Sequence, residues 1–274
     1  MTVLFFSLIV LIGAVAAGLV GSLTGLGGGA VIIPLLTVLL GVDIHYAIGT
    51  ALVSVIATSS GSAAAYVKEG ISNIRLGMFL EIATTVGAVL GTVVAAFVPT
   101  NVVAVVFGIV LIFNGINSLL KKEANKVQAS SKLAVWLKLP GTYPTPKGMV
   151  SYGIVNVVGG FLMMIVAGIL SGLLGIGSGA FKVIAMDNIM KVPFKVSTTT
   201  SNFMMGVTAT ASAVVYLQRG YIEPGLCMPV VIGVLLGAML GAKILLRSKV
   251  KNLRLFFAVV IMLLAVNMIY KGLR

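Results

Sequence analysis

Charge is scarce in this chain: charged residues fill 9% of 274 positions, and only six of them are acidic. A soluble domain carries roughly 25% charged residues, so a water-facing surface is excluded over most of the molecule. Cysteine is nearly absent too. The lone Cys227 excludes an intrachain disulfide and a thiolate metal cluster, and as a small residue at the start of an apolar segment it reads as packing. The lone His45 leaves no His pair for a metal. With one Cys and one His, neither a nucleophile–base pair nor a ligand set for an intramembrane enzyme can be assembled, and no cofactor is expected. Alternation with a period of 2 is missing, which argues against a lipid-facing β-barrel.

What is present is apolar. Hydrophobic residues make up 59% of the chain, and the runs 1–23, 76–98 and 102–120 each approach the ~20 residues that span a bilayer as a helix. The expected fold class is an all-α integral membrane protein of the cell membrane, with about 8–10 membrane segments. The first run ends in small residues from Ala14 to Gly18, as a secretory signal does. It lacks a basic n-region and its second half recurs later, so it is read as a span. The formal charge of +13 sits between and at the ends of apolar segments, not along one polar face. That charge carries membrane topology, and no nucleic-acid partner is expected.

The chain repeats itself. Gly18-Leu-Val-Gly-Ser-Leu-Thr-Gly-Leu-Gly-Gly-Gly-Ala30 matches Gly168-Ile-Leu-Ser-Gly-Leu-Leu-Gly-Ile-Gly-Ser-Gly-Ala180 at an offset of 168 minus 18, or 150. The same offset pairs Thr50 with Thr200, Tyr66 with Tyr216, Gly70 with Gly220, Gly87 and Gly91 with Gly237 and Gly241, Phe107 with Phe257, and Asn117 with Asn267. Duplication explains a constant offset better than shared apolar composition does. The units are residues 1–122 and 149–274, with a basic linker over 123–148. Each unit reads as a long apolar segment, a glycine-rich break, a short apolar segment and three further spans. The expected segments are 3–24, 29–40, 46–66, 76–97 and 102–120, then 150–174, 180–190, 196–217, 225–246 and 254–270. The stretch 133–137 of the linker is a candidate for the membrane interface.

Basic residues then orient the units. The linker, with Pro140, Pro144 and Pro146, belongs on the cytoplasmic side, as does the loop bearing Lys68 and Arg75. The uncharged turn 99–101 falls outside, whereas its equivalent, with Arg247, Lys249, Lys251 and Arg254, falls inside. Lys191 and Lys195 also read as inside, and their equivalents Gly41 and His45, next to Asp43, lack that signature. Equivalent loops with opposite signatures predict inverted repeats, although Arg219, Lys271 and Arg274 then lie outside against the rule.

The glycine breaks carry the strongest functional signal. Gly27, Gly28 and Gly29, and Gly177, Ser178 and Gly179, interrupt membrane helices where lipid cannot satisfy freed backbone groups, so protein or a watery cavity must cover them. In inverted-repeat transporters such breaks present helix N-termini to an anion near the midplane. The competing reading is close helix packing, which is preferred for the pairs Gly87/Gly91 and Gly237/Gly241. Lys182 stands three residues past the second break, where the offset places Ile32 in the first unit. Its ammonium either attracts substrate or forms a structural pair with Asp187. Polar segment 197–202, with Thr200, Ser201 and Asn202, and its counterpart with Thr50 and Ser54, offer hydroxyl and amide donors to an oxyanion. Glu81, opposite Val231, is either a coupling carboxylate or a helix-end residue near Arg75 and Lys68, and the helix-end reading is preferred. Asp187 is the other coupling candidate. Asn114, Asn117, Asn156 and Asn267 are assigned to bonds between helices.

Gly25-Leu-Gly-Gly-Gly29 followed by Pro34, then Gly49-Thr50, and the repeated Gly172-Leu-Leu-Gly-Ile-Gly177 resemble the TauE/SafE sulfite-exporter family over nearly the whole chain. The resemblance implies a multi-helix transporter of sulfite, thiosulfate, sulfoacetate or related organosulfur anions, export being the commoner direction. The second unit departs from the pattern at Ser178, at Ile184 in the place of Pro34, and at Lys182. The expected mechanism is alternating access around a small anion held at the two breaks by Thr50, Thr200, Ser201, Asn202 and Lys182, with H⁺ or Na⁺ as the coupling ion. An anion channel is the nearer alternative and an intramembrane enzyme the more distant one.

Overall fold

A computed structural model describes residues 3–24, 27–95, 97–120, 129–145, 148–175, 177–247 and 250–273. Gly25, Leu26 and Ile176 of the glycine-rich segments, the linker stretch 121–128, Pro146, Lys147, Lys249 and Arg274 lie outside them.

Apolar runs become helices here because in lipid only a helix satisfies its own backbone. Helix α1 (Val3–Thr24) ends at the first break, and α2 (Gly29–Pro34) passes into a π-helical turn over Leu35–Leu39. Then come α3 (Ile44–Lys68), α4 (Ile74–Ala95) and α5 (Thr100–Leu120). The linker folds as α6 (Lys132–Trp136) and a hairpin of β1 (Gly141–Thr145) and β2 (Gly148–Tyr152), paired antiparallel with Gly141 opposite Tyr152. The second unit gives α7 (Val157–Leu174), α8 (Gly179–Ile184) with a π-helical turn over Ala185–Ile189, α9 (Phe194–Gln218), α10 (Pro224–Arg247) and α11 (Val250–Leu273). Among the described residues five helices, α1, α3, α4, α7 and α10, are long and apolar enough to cross a membrane.

One boundary differs from the expected one. The span foreseen from residue 150 begins at Val157, capped by the Asn156 side chain, and the residues before it belong to the hairpin. Their backbone groups pair with β1 and with the end of the second π-helical turn, where Val155 N–H donates to Met190 O.

Backbone conformation repeats at the 150-residue offset even where side chains differ. Gly41 and Lys191 both have positive φ, at 68° and 58°, and Gly70 and Gly220 close equivalent turns at 67° and 74°. The π-helical turn forms after Pro34 in one unit and after Ile184 in the other, so the proline is not its cause.

Each short segment doubles back along its long partner. A Cβ at Gly21 would run into the backbone of Gly27 and Gly28, and one at Gly13 into Leu35, so α2 and its π-helical turn run antiparallel to α1. Gly160 against Met190 places the second short segment on α7 in the same way. The chain therefore makes a hairpin at each break, and α1 and α3 run in the same direction along α10. Gly233, Gly237 and Gly241 follow α1 from Leu11 to Ser22, while α3 runs from Gly49 beside Tyr221 to Gly61 beside Leu235.

Helices α4 and α10 are exchanged between the units. Helix α1 packs chiefly on α10 and α4 chiefly on α7, and α10 and α4 also pack on α3 and α9. The contacts are tight because the seams are glycine: a Cβ at Gly91 would clash with Ile169 O, and one at Gly237 with Val15 O. Two cores result. One gathers residues such as Val10, Ile32, Leu52 and Val234; the other gathers Leu80, Met164, Met186 and Met204 with Ala134 and Tyr152 of the folded linker. Helices α5 and α11 pack antiparallel, with Gly108 facing Ala265, Gly115 facing Ala258 and Gly272 facing Asn101.

The linker caps one end of the bundle. Asn73 Nδ2 donates to Leu139 O and to Tyr152 Oη, both at 2.8 Å, and Arg75 Nη1 donates to Lys138 O at 3.3 Å.

Candidate functional site

The two breaks meet in the middle of the molecule. A Cβ at Gly27 would lie 3.1 Å from Val55, and one at Gly177 would lie 2.8 Å from the same valine; both also reach Met205. Val55 and Met205 are themselves one offset apart, on α3 and α9. They lie about halfway along both helices.

Left-handed backbone makes the breaks possible. Gly27 has φ 73° and Gly177 φ 68°, which glycine adopts freely. Ser178 is left-handed as well, at φ 48°, where its equivalent Gly28 is right-handed. A side chain held there costs roughly 1–3 kcal/mol and marks a place that its surroundings overdetermine. Ser178 is buried, and its hydroxyl has no hydrogen-bond partner among the described residues.

Side chains from both units bond carbonyls at and near the breaks. Ser22 O, near the end of α1, accepts from Tyr66 Oη at 3.0 Å and from Asn202 Nδ2 at 3.1 Å. Ser201 Oγ donates to Gly179 O at 3.1 Å, and Ser59 Oγ donates to Asn202 O at 2.6 Å. Asn202 and Ser201 thus reach the breaks from α9, and Asn202 Oδ1 is buried without a hydrogen-bond partner among the described residues. Gly28 lies against Thr58, whose hydroxyl bonds back to Ser54 O, while Ser54 bonds back to Ala51 O.

Thr50 and Thr200 do not reach the breaks. Thr50 takes a 3.7 Å contact from Cys227 Sγ, and Thr200 Oγ1 accepts from Asn73 N–H at the start of α4, 3.0 Å away. Both are buried hydroxyls placed where the exchanged helices begin. The helix-end reading of Glu81 is overturned. Its carboxylate is buried within α4, and Lys182 Nζ lies 3.3 Å from its Oε2. The partner of Lys182 in this ion pair is Glu81, on another helix, and not Asp187, which is half-buried in the second π-helical turn.

Thr208 completes the cluster and carried no flag in the sequence. Lys182 Nζ donates to Thr208 Oγ1, which donates in turn to Glu81 Oε1; Thr85 Oγ1 adds a bond to Oε1 at 3.3 Å. The offset maps this cluster onto Ile32, Val231 and Thr58, so the equivalent place in the fold carries no charge. A cavity of about 340 Å³ lies apart from the breaks, at the end away from the linker cap, lined in part by Thr37, Asp43, Asn101 and Met268.

Membrane-length helices, two breaks covered by protein at mid-depth, and a buried charge cluster beside them define a multi-pass membrane transporter. Residues 9–268 match the family model described as Sulfite exporter TauE/SafE, and the chain belongs to that family. It is 31% identical to the "Probable membrane transporter protein YunE" of Bacillus subtilis, over 98% of both chains. It is 26% identical to YdhB of the same organism, over 82% of this chain and 85% of that one. Identity to MJ0441 of Methanocaldococcus jannaschii is 25%, over 93% and 92%. These relatives, like the family, are named as transporters and not as enzymes. No solved structure matches the chain.

Proposed function

We propose that this protein carries a small sulfur oxyanion, sulfite or an organosulfonate, across the cell membrane by alternating access. The observation that carries this reading is Lys182: a fully buried ammonium three residues past a break, present in one unit and replaced by Ile32 in the other. With the unpartnered Ser178 hydroxyl and the backbone of the breaks, it offers donors and one positive charge to an oxyanion.

The repeats are read as inverted. Helices α5 and α11 are equivalent by the offset and pack antiparallel, and two helices related by a two-fold axis run antiparallel only if the axis is perpendicular to them. For membrane-crossing helices such an axis lies in the membrane plane. Charge supports the same orientation: Lys68, Arg75, Lys132, Lys138 and Lys191 gather at the capped end, which is assigned to the cytoplasm. Trp136 and Val135, exposed on α6 at that end, suit the interface. The bodies that rock follow the packing and not the chain order: α1, α2, α3 and α10 against α7, α8, α9 and α4, across the seam of α3 and α9.

A thermal-shift screen of the purified protein with sulfite, thiosulfate, sulfoacetate, sulfate and simple carboxylates tests the substrate class. Stabilisation by the sulfur oxyanions supports it; stabilisation by carboxylates alone would overturn it. Counter-flow in vesicles tests the mechanism. Preloaded anion accelerates uptake through a carrier and does not through a channel.

A further inference from the structure

We propose that Glu81 is the proton site of the transport cycle, and that its protonation frees Lys182 for the substrate anion. The inference rests on the anion-transporter reading and adds the coupling ion and its residue.

In the structure the ammonium is already committed. It bonds to Glu81 Oε2 and to Thr208, and Thr208 hands its own proton to the other carboxylate oxygen. The pair is neutral and buried among α4, α8 and α9. An oxyanion that approached Lys182 with Glu81 ionised would bring two negative charges to one positive charge at membrane depth, which is strongly unfavourable. An oxyanion arriving with a proton keeps the count level. The proton binds the Glu81 carboxylate and yields a neutral carboxylic acid, the Lys182–Glu81 ion pair breaks, and the ammonium keeps its charge and pairs with the anion. No covalent bond between heavy atoms changes. The one proton taken up at Glu81 then offsets one negative charge of the substrate.

A metal cation fits this place less well than a proton. The oxygens of Glu81 and Thr208 already face the ammonium, and a sodium ion among them would sit beside a like charge. Accessibility points the same way: 10% of the Glu81 side chain is exposed and none of Lys182, so a proton reaches the carboxylate first. Among the described residues, Glu81 is the one charged group that acts on Lys182. Helix α7 has no titratable group, and those of α9, Lys195 and Tyr216, are thirteen and eight residues from Thr208. Arg75, on α4 itself, is turned to Lys138 of the cap. Asp187 lies five residues beyond Lys182, in the π-helical turn.

Thiosulfate is the probe, because it stays a dianion across the working range and any proton taken up on binding goes to the protein. On binding thiosulfate in weak buffer, the wild-type protein should take up about one proton per anion, and its affinity should fall about tenfold per pH unit on the alkaline side. In Glu81→Gln, where a neutral amide stands for the protonated acid, both effects should vanish and binding should be independent of pH. Binding without proton uptake in the wild type overturns the proposal. So does a wild-type slope in Glu81→Gln, or a folded Glu81→Gln that binds at no pH. If the wild type binds no sulfur oxyanion, the substrate reading fails, and infrared titration of the unliganded protein decides the proton site separately. A carboxylic-acid band that appears on acidification and is missing from Glu81→Gln upholds Glu81, and no such band overturns it.

Discussion

Lys182 and Glu81 meet at 3.3 Å across 101 positions of chain, and the residues that the offset assigns to the equivalent places, Ile32 in the first unit and Val231 in the second, are both apolar. That equivalent place therefore shows what the fold looks like without the pair. Removing one partner of a buried ion pair strands a charge and costs about 3–5 kcal/mol, whereas replacing both by apolar residues of fitting shape is often neutral or stabilising. Lys182→Ile and Glu81→Val should each lower stability by that amount. The double variant, which copies Ile32 and Val231, should return to within about 1 kcal/mol of wild type. It should also lose all stabilisation by sulfur oxyanions. Chemical denaturation of the three variants, with and without anion, reads both effects; a double variant that still responds to anion would remove the pair from the site.

The exchanged helices depend on glycine at defined depths. A Cβ at Gly91 would meet the backbone of Ile169, which cannot turn aside as a side chain can. Gly91→Ala should cost about 1–3 kcal/mol despite the better helix propensity of alanine. Gly225→Ala is the control: that glycine is exposed on α10, and the nearest atom to an added Cβ is Glu223 Oε1 at 3.9 Å. It should change stability by less than about 0.5 kcal/mol or raise it slightly. Equal effects of the two substitutions would show that the α4–α7 seam tolerates separation.

Much of this was legible in the residues, and what was hidden had a physical reason. Apolar length and the constant offset reveal the helices, the breaks and the duplication, because each is a local or periodic property. The exchange of α4 and α10 is a matter of which helix packs where, and in lipid-facing helices composition does not encode the neighbour; only the glycine seams Gly87/Gly91 and Gly237/Gly241 hinted at it. Thr50 and Thr200 looked like ligands because hydroxyls near a break resemble donors, yet they serve the starts of α10 and α4. Lys182 and Glu81 each stood out as a charge without a counterpart across the offset. Two such orphans in one duplicated fold were a signal for each other. The folded linker escaped because a short hairpin with Pro144 in it carries little periodicity.

The second break should be intolerant of a methyl group for two separable reasons. Alanine at Gly177 must adopt φ 68°, which costs an L-residue about 1–2 kcal/mol, and its Cβ would press on Val55 at 2.8 Å. Gly177→Ala is expected to reduce counter-flow severely. Adding Val55→Ala relieves the contact and leaves the backbone strain, so the pair should recover part of the stability lost and not all of it. Full recovery would show that crowding alone was the cause, and none would show that the backbone was. Both are measurable by thermal unfolding of the two variants in detergent.

The cap should leave the bundle in alkali, through Tyr152. Its phenol is buried on β2 and accepts from Asn73 Nδ2. Burial pushes its titration above the ordinary tyrosine value of about 10, more than the Asn73 bond lowers it, and Tyr143 pushes it up further. An undocked Tyr152 loses its proton first. The docking stability it contributes is thus complete below about pH 10 and is lost as pH rises from there through the raised value of the docked form. Asn73→Ala should weaken the dock at every pH. It removes the cap of α4, where Asn73 Oδ1 accepts from Leu76 N–H, together with the bonds to Leu139 and Tyr152. The combined loss should be about 2 kcal/mol or more. Protease cleavage within 131–152 reads undocking: it should accelerate in alkali for the wild type, less steeply for Tyr152→Phe, and already at neutral pH for Asn73→Ala. A wild-type cleavage rate that does not change with pH would mean that Tyr152 stays docked when ionised.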